Sequence, residues 1–197
     1  MKKLFRNPLT PLWACVFIDI LGYSMLTPYM PQILLEMQVP IALIGTILSI
    51  PPFLGFFTNI LWGSLSDRIG RKKVILILRA GTLVSYLLLA LAVDLRLIIL
   101  SRIVAGIFNS VVIVSLTVVS DVVSTDIRSL ELSKVGAAWL FGSILGPFLG
   151  ALVADSGAYG LGMINFVVIE LTYIVTLVTI KERHVDTQEE RSDEQRV

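Results

Sequence analysis

Six apolar stretches, each near the roughly 20 residues needed to cross a bilayer, lie at approximately 11–35, 41–63, 74–92, 96–119, 133–153 and 160–180. They leave the chain few folds. A bilayer core about 30 Å thick is spanned by α-helix rising 1.5 Å per residue, and every stretch is long enough. None shows the alternating segments of about ten residues that mark an outer-membrane barrel. Composition agrees: 55% of the 197 residues are hydrophobic and only 16% charged, against roughly 25% charged in an ordinary soluble domain. The expectation is an all-α membrane protein with a cytoplasmic N-terminus (1–10), a six-helix transmembrane domain (11–183) and a polar cytoplasmic tail (184–197). A cleaved signal peptide is not expected, because the first stretch is long, contains Asp19 and ends in Pro28 and Pro31 without a small-residue cleavage site.

Several function classes are excluded early. One cysteine, Cys15, inside an apolar run provides neither a disulfide framework nor a cysteine metal cluster. The single histidine, His184, lies in the polar tail, so a histidine metal site or a Ser-His-Asp triad has no parts. No metal, no cofactor and no enzymatic activity are expected, and a net charge of +1 gives no footprint for nucleic acid.

Orientation follows from where lysine and arginine fall. With the N-terminus inside, the inner segments carry Lys2, Lys3 and Arg6, then Arg68, Arg71, Lys72, Lys73 and Arg79. Arg128 and Lys134 follow, then Lys181, Arg183, Arg191 and Arg196. The outer loops carry Arg96 alone. Both termini are expected in the cytoplasm, and the plasma membrane is the expected location. Pro28 and Pro31 fall near the outer end of the first helix, and Pro51-Pro52 is expected to interrupt the second near its middle, against a neighbour or a cavity.

Charges within the membrane are costly and mark function. Asp19, Arg102 and Glu170 all lie well inside their stretches. Asp19 with Tyr23 (i, i+4) and Arg102 with Asn109 (i, i+7) each form a polar stripe that must face protein or water. A carboxyl in a partly dry cavity can load and release a proton near neutral pH, which is what a proton-coupled carrier requires. Asp19 is expected to carry that proton, with Arg102 biasing its charge state and Glu170 as a further candidate. The bland alternative is a buried structural bridge between Asp19 and Arg102.

Between the second and third stretches runs Gly63-Ser-Leu-Ser-Asp67-Arg68-Ile-Gly70-Arg71-Lys72-Lys73. Positive-inside bias explains the cations but not the fixed glycines or the acid. Gly63 is expected to admit a close helix, Asp67 to sit at a helix N-terminus and Gly70 to allow a tight reversal. The segment resembles the G-x-x-x-D-R-x-G-R-K/R-K/R loop signature of the major facilitator superfamily. Three further pieces match in order. Asp19 through Pro31 resembles the first-helix pattern of drug–proton antiporters, particularly tetracycline efflux pumps. Arg102-Ile-Val-Ala-Gly106 resembles the fourth-helix R-x-x-x-G signature. Gly142, Gly146, Pro147 and Gly150 resemble the fifth-helix antiporter motif, with Ala151 in place of its final glycine.

This resemblance implies one half of a major facilitator fold, six helices arranged as two inverted three-helix repeats, with the substrate site between two such halves at mid-membrane. It implies that Asp121 contacts a loop arginine, Arg71 here, and that Asp67, Arg68, Arg71, Lys72 and Asp121 work at the inner face. Ser85 stands where tetracycline pumps carry a third-helix acid, which argues against tetracycline itself as substrate; Glu170 stands where they carry a neutral polar residue, as if the acid had moved rather than vanished. The expected function is proton-coupled efflux of small amphipathic molecules by alternating access, from a cavity lined by Asp19, Tyr23, Met25, Asn109 and Glu170. The expected partners are the lipid bilayer, the small-molecule substrate, the proton and a second six-helix half. That second half is most simply another copy, with a separately encoded partner as the alternative, meeting this one through Gly63 and the glycine groove of Gly142, Gly146 and Gly150. The alternatives are a non-transporting truncated or regulatory membrane subunit, and an importer of small polar solutes.

Overall fold

The computed structural model describes residues 10–153, 160, 162–165 and 167–168. Among them seven helices form: α1 (Thr10–Leu26), α2 (Met30–Glu36), α3 (Ile41–Ile69), α4 (Arg71–Ala90), α5 (Leu95–Phe108), α6 (Val111–Val122) and α7 (Thr125–Ala151). They make five segments long and apolar enough to cross a membrane, because α1 with α2 and α5 with α6 each act as one broken crossing. The sixth expected stretch, with Glu170, lies largely outside the described residues.

The helix ends have local causes. Gln38 takes a left-handed φ of +59° after α2, and its N–H donates to Leu35 O while that of Val39 reaches Leu34 O at 3.0 Å. This double bond ties off the last carbonyls of α2, and buried Val39 packs over buried Leu34. Asp94 caps α5, its carboxylate accepting from Leu97 N–H at 3.0 Å. The segment read as a loop is mostly helix: α3 continues to Ile69 and α4 begins at Arg71, with Gly70 between them at φ +97°. Only glycine enters that region without strain, so the expected reversal is there.

Two other expectations change. Pro51-Pro52 does not interrupt the second crossing; α3 runs through both prolines unbroken. The break falls instead at Asn109-Ser110 in the fourth crossing, where Ser110 N–H donates to Phe108 O at 3.0 Å rather than continuing the ladder. The carbonyls that lose their usual donors are met by α3: Thr58 Oγ1 donates to Gly106 O at 3.1 Å and Trp62 Nε1 to Ile107 O at 2.7 Å. In lipid an unpaired carbonyl costs several kcal/mol, so the break is tolerable only against such donors.

Packing makes two apolar cores with a polar layer between. Toward the Val39 end lie Met25, Met30, Leu34, Ile47, Leu89 and Ile98. Toward the Gly70 end lie Val16, Ile75, Leu78, Val111, Val119 and Val135. Between them sit the buried polar side chains of Asp19, Arg79, Ser85, Ser101, Arg102 and Ser110. The helices pack across the repeats: α1 lies chiefly on α7, and α3 on α5. The faces of α3 and α7 remain apolar and exposed, with Phe53, Phe56, Phe57 and Ile60 on one and Leu140, Phe141, Ile144 and Phe148 on the other.

Candidate functional site

The polar layer is built around an ion pair that the sequence reading did not contain. Arg79 of α4 has no solvent exposure, and its Nη1 donates to Asp19 Oδ1 of α1 at 2.9 Å. Its Nη2 donates to the carbonyl of Cys15, one turn below Asp19. Arg79, expected among the inner-face cations, is instead the counter-ion of Asp19, in the place expected for Arg102. The available signal was spacing. Ile75, Arg79, Tyr86 and Leu89 recur at helical intervals on one face, and the other three are buried.

Arg102 is only 5% exposed, like Asp19. Its Nη2 donates to Ser101 Oγ at 3.1 Å, and its Nε meets no acceptor among the described residues. Asp19, Tyr23, Arg102 and Asn109 nevertheless converge, lining one cavity of about 20 Å³ with Thr82, Ser85, Tyr86 and Ala105. The buried Ser85 hydroxyl donates to Ser101 O at 3.1 Å, joining α4 to α5. Tyr23 and Asn109 form the boundary of a larger cavity of about 520 Å³, walled by residues including Ile20, Thr27, Pro52, Asn59, Val112, Trp139, Ser143 and Pro147. Such a space, mostly apolar with a few neutral polar groups, suits an amphipathic molecule. Met25 does not line either cavity; it is buried in the apolar core beside Leu26 and Met30.

At the Gly70 end Arg71 joins two acids on different helices. Its Nη2 is 3.0 Å from Asp67 Oδ1, one turn back, and also contacts Asp121 Oδ2 of α6. Asp67 lies in the last turn of α3 rather than at a helix N-terminus, where the helix dipole alone would disfavour it and Arg71 offsets this. Arg68 is exposed and in no ion pair among the described residues, and Lys72 is half-buried. Gly63 faces open space, with no atom within 4 Å of where a side chain would start, so it admits no close helix among the described residues.

The family model described as Major Facilitator Superfamily matches residues 12–196. The chain belongs to this superfamily. Tetracycline resistance protein, class D, of Salmonella ordonez is 30% identical over 181 residues, covering 90% of this chain and 45% of that protein. The Staphyloferrin B transporter of Staphylococcus aureus is 28% identical over 181 residues, covering 89% and 43%. The structure of the human organic anion transporter MFSD10 (TETRAN) matches with a TM-score of 0.70 at 24% identity, over 85% of this chain and 47% of that one. The facilitator chain thus spans about 45% of the length of the curated relative it matches over 90% of itself, and its fold is that of one half of a facilitator.

Within this facilitator half the fifth-helix glycines do not form a free groove. A side-chain carbon at Gly142 would meet Phe17 O at 2.7 Å; one at Gly146 would meet Leu21 O at 2.8 Å and collide with Ser24 Oγ. Gly150 is closed in the same way by Met25 O and the Tyr29 ring. Ser24 Oγ donates to Gly142 O at 2.9 Å and Tyr29 Oη to Pro147 O at 2.9 Å. The expectation that these glycines face a second half is therefore corrected: they seat α7 on α1 inside one facilitator half. Small residues at spacings of four permit that approach.

Proposed function

We propose that the chain acts as one half of a proton-coupled exporter of small amphipathic molecules, working by alternating access across the plasma membrane with both termini in the cytoplasm. The observation that carries this reading is Asp19, a carboxyl 5% exposed and tied to a wholly buried arginine, one small cavity away from a space of about 520 Å³. A titratable group so placed can exchange its proton when the cavity opens, and doing so breaks or makes a buried charge pair. The name of one relative, a tetracycline resistance protein, supports export as the direction, since a transporter that confers resistance removes its compound. The second half is most simply another copy with its two-fold axis along the membrane normal, meeting this one through the phenylalanine-rich faces of α3 and α7.

The test is proton flux in proteoliposomes loaded with a pH-sensitive dye, driven by amphipathic compounds of either charge sign. Asp19→Asn is expected to abolish compound-linked proton flux while the protein remains inserted. Unimpaired flux in that variant removes Asp19 from the mechanism. Crosslinking in native membranes through cysteines placed at Phe56 and Phe148 is expected to capture two copies; full activity from isolated monomers would remove the second half.

A further inference from the structure

We propose that the molecule carried is an anion, a carboxylate on an apolar scaffold, and that Arg102 reads its charge from behind Tyr23 and Asn109. The proposal rests on reading the larger cavity as the transport site. Its basis is a count of charges in the polar layer. Among the described residues that layer holds one acid, Asp19, and two arginines, Arg79 and Arg102, all at least nine-tenths buried.

Asp19 is committed. It is paired with Arg79 at 2.9 Å, and Arg79 is held a second time by Cys15 O. Arg102 forms no ion pair among the described residues; a serine hydroxyl on its own helix is its one hydrogen-bond partner there, and its Nε has none. A buried cation without a counter-charge is unfavourable, and a carboxylate brought near it in a low-dielectric interior lowers that cost even without direct contact. A ligand anion supplies the counter-charge that the described residues do not.

Geometry fixes how far such a ligand reaches. The cavity of about 20 Å³ beside Arg102 holds little more than one water. The body of the ligand therefore stays in the space of about 520 Å³, against Trp139 and Pro147, with its charged end at the Tyr23–Asn109 boundary shared by both cavities. Among the described residues no charged side chain lines the larger space. A cationic ligand finds no free acid among the described residues there unless it displaces Arg79 from Asp19. The electrical sense also fits export: sending an anion out while a proton enters moves two positive charges inward, which an inside-negative potential favours.

The test is titration calorimetry on the 197-residue chain in lipid nanodiscs, with empty nanodiscs subtracted. Three ligands share one ring system: 2-naphthoate, neutral 2-naphthamide and cationic 2-naphthyltrimethylammonium. The naphthoate is expected to bind at least tenfold more tightly than the amide, and the ammonium no more tightly than the amide. Arg102→Gln is expected to erase the preference and Arg102→Lys to keep part of it. Should Arg102→Gln not fold, Asn109→Asp tests the same point from an exposed position, since an acid at the boundary satisfies Arg102 internally and removes the preference. Equal binding of naphthoate and amide overturns the proposal, as does tighter binding of the ammonium. A preference that appears only in Glu170→Gln also overturns it, assigning Arg102 to an internal acid. Naphthoate preference without compound-linked proton flux leaves an anion-binding site at Arg102 but removes the carrier reading, and with it the claim that the anion is carried; flux without the preference keeps the carrier and overturns the anion.

Discussion

At the scale of single residues, the chemistry turns on which arginine faces Asp19. Breaking a buried ion pair by removing one partner leaves an uncompensated charge and typically costs about 3–5 kcal/mol. Arg79→Gln is therefore expected to destabilise the protein by about that much, and Asp19→Asn/Arg79→Gln to recover most of the loss. A double-mutant cycle on thermal unfolding in detergent checks it; additive losses would mean that the 2.9 Å contact contributes nothing as a pair. Arg102→Gln is expected to show no such coupling to Asp19. The sequence made Asp19, Tyr23, Arg102 and Asn109 visible because polar side chains stand out in apolar stretches, and the structure gathers all four around one small cavity. Arg79 stayed hidden because it follows Arg71, Lys72 and Lys73 closely enough to read as one of them. Depth in a membrane is not a property of sequence position alone; it depends on where the helix starts, and α4 starts at Arg71, not Val74.

At the scale of helices, the contacts between neighbours decide what substitutions do. Gly146→Leu is expected to force α1 and α7 apart within one half, where overpacking typically costs about 1–3 kcal/mol. The loss will appear as a lower unfolding temperature and reduced folded yield, not as a change in the number of copies captured by crosslinking. Arg71 sits at the junction of α3, α4 and α6. Asp121→Asn cuts its one tie to α6, an exposed contact worth about 1 kcal/mol or less. Stability is expected to change little, but cysteine labelling at the Gly70 end is expected to rise if the ion pair helps to hold that end closed. Unchanged labelling would show that the Arg71–Asp121 pair does not hold that end closed. Hydropathy found the first five long apolar segments but not their ends, since α3 runs on to Ile69 and α7 begins at Thr125; the reversal at Gly70 was legible from its motif. The prolines misled because Pro51 and Pro52 only remove donors, and a helix can bend around a missing bond when a neighbour fits there. Gly106 supplies that fit: a side-chain carbon on it would come within 2.9 Å of Pro51 Cα. Nothing in Asn109-Ser110 marks a break by itself, since its partners, Thr58 and Trp62, lie about 50 residues earlier in the chain.

At the scale of the whole molecule, each repeat leans on the other: α1 on α7 and α3 on α5. A shift of one repeat therefore moves the walls of the larger cavity, to which α1, α3, α6 and α7 all contribute. The braced break in the fourth crossing also bears on how the protein is made. A fourth crossing released into lipid by itself would carry two carbonyls, those of Gly106 and Ile107, whose donors belong to the second crossing. During synthesis the second crossing leaves the ribosome first, so it can wait beside the insertion channel as a template for the fourth. Thr58→Val with Trp62→Phe is expected to lower the fraction of chains whose fourth crossing integrates, measured by glycosylation tags on either side. Full integration of the doubly altered chain would show that the fourth crossing enters the bilayer unaided. Biogenesis of this facilitator half is, on this account, an ordered event in which an early helix holds the place of a later one.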